Sequence, residues 1–95
     1  MAYNEEQALG FLKARLNRPA TNHSIDEYLK ARLRAADKSL ERAGIRLREE
    51  DTGDLMLLVD YTEWQYKNRD KPGGMPEWLR LARRERWLAE RRDTP

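Results

Sequence analysis

Few residues in this chain are suited to covalent chemistry. It has one histidine, His23, and no cysteine. A hydrolase or transferase needs a nucleophile, a base and a group that orients them, and no such set is present. His23 lies in a polar stretch beside Ser24, which is typical of a solvated loop residue. We therefore expect no catalytic residues, and we predict that the protein is not an enzyme.

Motifs for metals and phosphates are missing as well. The sequence contains no zinc-binding helix motif, calcium loop or glycine-rich phosphate loop. Three consecutive acids, Glu49, Glu50 and Asp51, could bind a cation, but they also precede a predicted helix. The partial positive charge at a helix N-terminus favours acidic neighbours, and we prefer that interpretation. We expect neither a metal ion nor a cofactor.

The residues best suited to binding a partner are arginines near the C-terminus. Between residues 80 and 92 there are six arginines and no lysine. Arginine makes planar, bidentate and aromatic-stacking contacts at interfaces. The alternative is a solvated helix whose arginines pair with nearby acids four residues apart, and the segment contains the acids for it: Glu77, Glu85 and Glu90.

Two tryptophans in the same segment favour the interface. Trp78 and Trp87 are nine residues apart, which places them on opposite sides of a helix. Both cannot face one small core, so at least one should be partly exposed, and we expect this to be Trp87. Tryptophan beside arginine is typical of interaction hot spots.

The elements that must position these residues are helices. The sequence predicts a first helix over 5–16, capped by Asn4, and a second over 25–43, capped by Ser24. Gly44 is the residue expected just past a helix end. The stripe that we predict to form the core is spread over the second and third helices: Leu29, Leu33, Leu40, Leu55, Leu58 and Val59.

A third helix should begin near Thr52, capped by Thr52 or Asp51, and end before Pro72. A fourth should begin at Pro76, with residues 90–95 as a frayed tail. The predicted fold is all-α, a small bundle of about four helices with short connectors, and residues 1–95 form a single domain.

Aromatic residues cluster on both flanks of the loop that joins these last two helices. We expect Tyr61, Trp64 and Tyr66 to pack the third helix against the loop and the fourth helix. The alternative for Trp64 is a contact with another subunit, since it projects from a different side than Tyr66.

Composition excludes several classes of function. The net charge is only +2, and acidic and basic residues are interspersed along the chain, which does not suit binding to nucleic acid by bulk attraction. No apolar run is long enough to span a bilayer. The first residues lack the features of a signal peptide, so we expect assembly in the cytosol and no membrane partner.

One stretch resembles a known family. It comprises 57–66 (LLVDYTEWQY), Arg69, a Gly/Pro loop, Met75-Pro76 and 78–86 (WLRLARRER), preceded by Asp54 and Gly44-Ile45. This pattern is similar to the head-tail connector proteins of long-tailed bacteriophages, also called head-completion or adaptor proteins. The similarity covers roughly residues 25–88.

The resemblance implies a structural role. Such proteins form a homo-oligomeric ring of about twelve copies beneath the portal, in the neck of the virion, after assembly in the host cytoplasm. The ring extends the channel through which DNA passes without sequence-specific binding, and it contacts the portal and the next connector or tail-completion protein. We assign the contact with the portal or an adjacent subunit to five residues: Trp78, Arg84, Trp87, Arg91 and Arg92.

Two other classes remain open. A small helical DNA-binding regulator would suit an arginine-rich last helix, although acids interrupt the positive face that a recognition helix needs. An accessory subunit or fragment of a soluble enzyme is opposed only by the missing catalytic set.

Overall fold

A computed structural model describes residues 3–69 and 74–93. Four helices make up this part of the chain: α1 (Glu5–Arg15), α2 (Asp26–Arg42), α3 (Thr52–Lys67) and α4 (Glu77–Asp93). It contains no strand. The predicted fold class, a small all-α four-helix bundle, is therefore confirmed. No helix among the described residues is long and apolar enough to cross a membrane.

Three helices build the main core, and the fourth is attached to them. α1, α2 and α3 each pack against the other two, whereas α4 packs against α3 alone among the described helices. All six predicted core residues are buried. Within the described part of the chain, no residue of α4 belongs to this core, which is formed by Tyr3, Ala8, Leu9, Leu12, Leu29, Leu33, Ala36, Leu40, Ile45, Leu47, Leu55, Leu58, Val59 and Tyr61.

The first two helices end in the same way. Gly44 has a φ of 95°, and the amides of Gly44 and Ile45 donate to the carbonyls of Glu41 and Leu40. This pair of bonds is the Schellman motif, which needs a residue in the left-handed region. Asn17, with a φ of 57°, has the same role after α1. The predicted function of Gly44 as a helix stop is confirmed.

The helix starts divide into confirmed and wrong predictions. Asn4 accepts a hydrogen bond from the Gln7 amide, and Asp51 accepts one from the Asp54 amide, as expected of N-caps. The predicted Ser24 cap is wrong. The Ser24 hydroxyl donates instead to the Asn22 side chain, and α2 begins at Asp26 without a side-chain cap.

A buried lysine organises the connection between α1 and α2. The Lys13 side chain is only 5% exposed. Its ammonium donates to the carbonyls of Ala20 and Asn22, at 3.2 and 2.6 Å, and to the Asp26 carboxylate at 2.8 Å. These three acceptors match the three protons of an ammonium, so the buried charge is fully satisfied.

The last helix is longer than the sequence predicts. α4 begins at Glu77, one residue after the predicted start, and continues through Asp93. Glu90 and Arg91 are held by hydrogen bonds described below, and the fraying of residues 90–95 stays a prediction. Residues 94 and 95 lie outside the described part, as do Pro72 and Gly73 of the predicted loop.

Candidate interaction surface

The face of α4 that meets the bundle is mostly polar. Leu79 is its one fully buried side chain in the described residues, with 0% exposure. Arg86 follows seven residues later on the same face, with a side chain only 10% exposed. Glu90, another four residues on, is also largely covered, at 19%. A helix that docks through arginine and glutamate must satisfy their charges internally.

A network of charges and backbone groups satisfies most of these polar atoms, although the buried Arg86 Nη1 has no hydrogen-bond partner among the described residues. The Arg86 Nε donates to Asp54 Oδ1 at 2.7 Å, and Asp54 Oδ2 accepts from the Arg48 amide at 2.8 Å. The Asp54 side chain is 5% exposed, so this ion pair is buried. The hydrogen bond to Asp54 raises the pKa of the Arg86 guanidinium further above its ordinary value.

The connector between α2 and α3 completes the network with its main chain. The Arg86 Nη2 donates to the Arg46 carbonyl at 2.6 Å, and the Arg46 amide donates to Glu90 Oε1 at 2.8 Å. The same carboxylate oxygen lies 3.8 Å from Arg86 Nη2. α4 is thus held in place by the Arg86 and Glu90 side chains, which bond to the carbonyl and the amide of Arg46.

A third attachment lies at Gly44. The Arg91 Nη2 donates to the Gly44 carbonyl at 2.7 Å, and the Arg91 guanidinium carbon lies 4.7 Å from the centre of the Trp87 ring. A Cβ at residue 44 would overlap Arg91 Nη2 and lie 3.1 Å from Trp87 Nε1. The backbone conformation, with a φ of 95°, favours glycine at this position, and a side chain there would also displace the end of the Arg91 side chain.

The opposite face of α4 carries its apolar residues and is exposed. Trp78, Leu81 and Leu88 are 57%, 49% and 42% exposed. Leu81 and Leu88 are seven residues apart and lie roughly 200° around the helix from Leu79 and Arg86. The helix is therefore inverted: its buried face is largely polar and its solvent face is apolar in part. We call the outward face the α4 ridge, formed by Glu77, Trp78, Leu81, Arg84, Glu85, Leu88 and Arg92.

The charges of the α4 ridge differ from those of the docked face. Among the described residues, Arg84, Glu85 and Arg92 form no ion pair within the chain. Glu77 lies 3.6 Å from Arg80, one turn along the same helix, and both side chains are mostly solvated. Three charges on this ridge are therefore available to another molecule, next to three exposed apolar side chains.

Two grooves flank the ridge. One is lined by Ala43, Ile45, Leu81, Arg84 and Trp87. The other lies between α3 and α4 and includes Met56, Leu57, Asp60 and Leu88. Burial raises the pKa of Asp60, although Arg15, whose Nη2 lies 2.6 Å away, opposes the shift. A partner could extend from the ridge into either groove.

The five residues assigned to an interface are not equivalent. Trp78, Arg84 and Arg92 lie on the ridge. Trp87 and Arg91 lie at its edge. Arg91 donates to the Gly44 carbonyl and stacks over the Trp87 ring, so Arg91 also holds α4 in place. The expectation that Trp87 is partly exposed is confirmed, at 39%, and Trp78 is exposed as well, at 57%. Their binding to a partner stays a prediction.

The predicted packing aromatics lie at the end of α3. Tyr61 is buried, its hydroxyl lies 3.0 Å from the Ser39 hydroxyl, and its ring centre lies 5.9 Å from that of Trp64. Tyr66 meets Tyr28 edge to face at 6.2 Å. Trp64, Tyr66 and Met75 are each partly buried and pack against the core. Whether they also touch residues 70–73 lies outside the described part of the chain.

Sequence reasoning missed the residues that hold the surface in place. In the sequence pattern Asp54 is only a residue that precedes the apolar run of α3, and Arg86 is one of six similar arginines. The spacing of seven residues places Leu79 and Arg86 on one face of the helix, but it does not show that this face is the buried one. Lys13 was missed as well, because its acceptors are carbonyls of a loop whose path the sequence does not reveal.

No candidate metal site accompanies this surface in the described part of the chain. The described residues contain no group of histidine, cysteine or acidic side chains that could hold a metal ion. His23 is exposed, and its Nδ1 lies 2.8 Å from Asp26 Oδ2, so it contributes to the α1–α2 loop. Comparison of the chain with family models, curated proteins and solved structures finds no match in any of the three. The α4 ridge is the candidate site.

Proposed function

We propose that this protein is a structural component of a bacteriophage virion, forming a ring under the portal that extends the DNA channel and joins head to tail. The observation that carries the proposal is the α4 ridge, where exposed Trp78, Leu81 and Leu88 stand beside arginines with no intramolecular ion pair. Aromatic and arginine side chains of this kind are typical of protein interfaces. The resemblance to head-tail connectors supplies the kind of assembly.

Ring assembly also suits the small size of the chain. A domain of 95 residues buries a modest fraction of its surface and gains stability when it buries more in an assembly. In a cyclic ring each copy presents two different surfaces to its neighbours. The portal would sit on one end of the ring and the next connector or tail-completion protein on the other.

The test is electron microscopy of the protein with and without the portal of the same phage. A ring stacked coaxially on the portal is expected. Arg84→Ala/Arg92→Ala should abolish stacking and leave the helical content unchanged, because neither side chain holds α4 to the bundle. Arg18→Ala is the matched control, an exposed arginine in the loop after α1. Absence of rings on an intact portal would contradict the proposal.

A filter-binding titration across salt concentration tests the DNA-binding alternative. Phosphate contacts by the ridge arginines would give a steep loss of affinity with salt. We expect only weak binding, because Glu77 and Glu85 share the ridge with Arg84 and Arg92.

A further inference from the structure

The groove between α4 and the end of α2 is lined by polar side chains that only donate hydrogen bonds. Among the described residues that line it, four are polar: Arg80, Arg83, Arg84 and Trp87. Guanidinium and indole groups carry N–H donors and no acceptor. The described lining contains no acid, amide, hydroxyl or histidine. We call this surface the basic groove.

Helix geometry brings these donors together along one side of α4. At about 100° per residue, Arg80, Arg84 and Trp87 lie within about 60° of one another around the helix axis. Arg83 widens this sector to about 100°, and Glu85 lies outside it. From Arg80 to Trp87 the sector is about 10 Å long. Three cations therefore share a short strip of surface with one indole and no acid.

Most of these donors have no partner within the described part of the chain. Arg83 and Arg84 form no ion pair there, and the Trp87 indole N–H makes no hydrogen bond. Arg80 lies 3.6 Å from Glu77, but both side chains are mostly solvated, and such a pair contributes little to stability. The basic groove can therefore offer its donors to another molecule without breaking a buried contact of the fold.

The rest of the described lining is apolar. It consists of Ala43, Ile45 and Leu81, and Leu81 is half-exposed. An occupant must therefore combine negatively charged acceptors with an apolar side chain. A nucleic-acid strand supplies phosphates at every step, but it would continue past Arg80 to Glu77, which repels it. An acidic stretch of protein supplies both kinds of group within the length of the groove.

We propose that the basic groove binds an acidic segment of a partner protein. Arginine binds a carboxylate through two parallel N–H donors, so Arg80, Arg83 and Arg84 can each hold one carboxylate. Arg80 and Arg84 are one turn apart, which matches acids three or four residues apart on a partner helix. An apolar side chain between those acids packs on Leu81, and the Trp87 N–H donates to an acceptor of the segment.

Fluorescence anisotropy of a labelled peptide titrated with the whole protein tests this binding. The probe is a peptide of about twelve residues composed of glutamate, leucine and alanine, with its acids one helical turn apart. We expect a dissociation constant on the order of 10–100 µM at low ionic strength. The same peptide with glutamine in place of every glutamate should bind about tenfold more weakly or less, because its acceptors are neutral.

Variants of the groove locate the contact. Arg80→Gln/Arg83→Gln should weaken peptide binding by about tenfold or more, since two charge-assisted contacts are lost. The matched control is Arg18→Gln/Lys38→Gln, which changes the net charge equally at two exposed residues outside the groove. It should bind within about threefold of wild type. Trp87→Phe removes one donor and no charge, and we expect a loss of about threefold.

Three results would overturn the proposal, provided that circular dichroism shows every variant to be folded. One is no binding of the acidic peptide by wild type up to about 1 mM. Another is an equal loss of affinity in the two double variants, because net charge would then explain the binding. The third is a short DNA duplex that binds more tightly than the peptide and is lost in R80Q/R83Q, which would assign the groove to nucleic acid.

Binding at the basic groove does not rest on the proposed function, and the two can fail separately. R80Q/R83Q leaves Arg84 and Arg92 of the α4 ridge unchanged. A protein that stacks on the portal but does not bind the acidic peptide would contradict the groove proposal alone. A protein that binds the peptide through Arg80 and Arg83 but never docks on the portal would contradict the connector alone.

Discussion

The Arg86 guanidinium and the Asp54 carboxylate form a buried ion pair, 2.7 Å apart, that joins α4 to the first turn of α3. The two residues are 32 positions apart in the chain. Around them lies a helix with one fully buried leucine, so the position of the α4 ridge depends on this pair more than on apolar packing.

Removing one member of the pair should destabilise the protein strongly. We expect Arg86→Ala to lower the free energy of unfolding by about 3 kcal/mol, because Asp54 is left buried without its counter-charge. Asp54→Ala should cost more, since it also removes the acceptor of the Arg48 amide. Urea titration measures both, and the double variant should cost less than their sum. Arg84→Ala, on the exposed ridge, should stay within about 0.5 kcal/mol of wild type.

Substitution of Gly44 should loosen α4 as well as α2. Gly44→Ala puts a side chain at a φ of 95° and drives its Cβ into Arg91 Nη2. We expect a loss of about 2 kcal/mol or more and faster hydrogen exchange in the last turns of α4. Gly10→Ala is the matched control. Its Cβ would have nothing within 4 Å in the middle of α1, so it should stabilise by about 0.5–1 kcal/mol. Equal effects at the two glycines would contradict this account.

Stability in acid should depend on Asp26. Hydrogen bonds from Lys13 and His23 hold the pKa of the Asp26 carboxyl below its ordinary value of 3.8. The folded state therefore binds its proton less readily than the unfolded state. The stabilisation is complete above pH 3.8 and is lost as the pH falls through the lowered pKa.

Comparison of wild type with Asp26→Asn tests this linkage. The difference in unfolding free energy should be largest near neutral pH and shrink in acid, as measured by urea titrations at several pH values. Glu49→Gln, at an exposed residue of the α2–α3 connector, provides the control for loss of one carboxylate. If the difference in unfolding free energy between the two proteins did not change with pH, the charge of Asp26 would not contribute to stability through its hydrogen bonds.

The Tyr3 hydroxyl should be a cost to the fold. It is buried and has no hydrogen-bond partner among the described residues. We expect Tyr3→Phe to stabilise the protein by about 1 kcal/mol at neutral pH, because the unpaired polar atom is removed. Burial of the phenol also raises the pKa of Tyr3 to about 12, from an ordinary 10.0.

The raised pKa adds an alkaline signature to that variant. A group whose folded pKa is raised contributes stability below pH 10.0 that is lost as the pH rises towards 12. Between these pH values the free energy of unfolding should therefore fall more for wild type than for Tyr3→Phe. Equilibrium unfolding at several pH values from about 9 to about 11.5 measures this difference. Parallel curves for the two proteins would rule out a shifted Tyr3 pKa.

Local rules accounted for much of the fold. Asn4 and Asp51 as caps, Gly44 as a helix stop and the stripe from Leu29 to Leu58 each depend on residues close in sequence, where backbone chemistry decides the outcome. The prediction of Ser24 as an N-cap was wrong because another local partner, Asn22, competes for the Ser24 hydroxyl.

The orientation of α4 could not be derived in this way. An apolar stripe at helical spacing usually marks the buried face, and Trp78, Leu81 and Leu88 form such a stripe. Here the other three helices close the core without α4, and a distant acid, Asp54, selects the face that contains Arg86. Pairing between charges so far apart in the chain leaves no periodic signal.

Much of what holds α4 belongs to the main chain of the α2–α3 connector. The Gly44 carbonyl accepts a hydrogen bond from Arg91, and the Arg46 carbonyl accepts one from Arg86. The Arg46 amide donates a hydrogen bond to Glu90. Every amino acid except proline offers the same amide and carbonyl at position 46. The exposed side chains of the connector can therefore change during evolution without displacing the ridge. The affinity of the protein for its partners can then evolve while the position of its binding face stays the same.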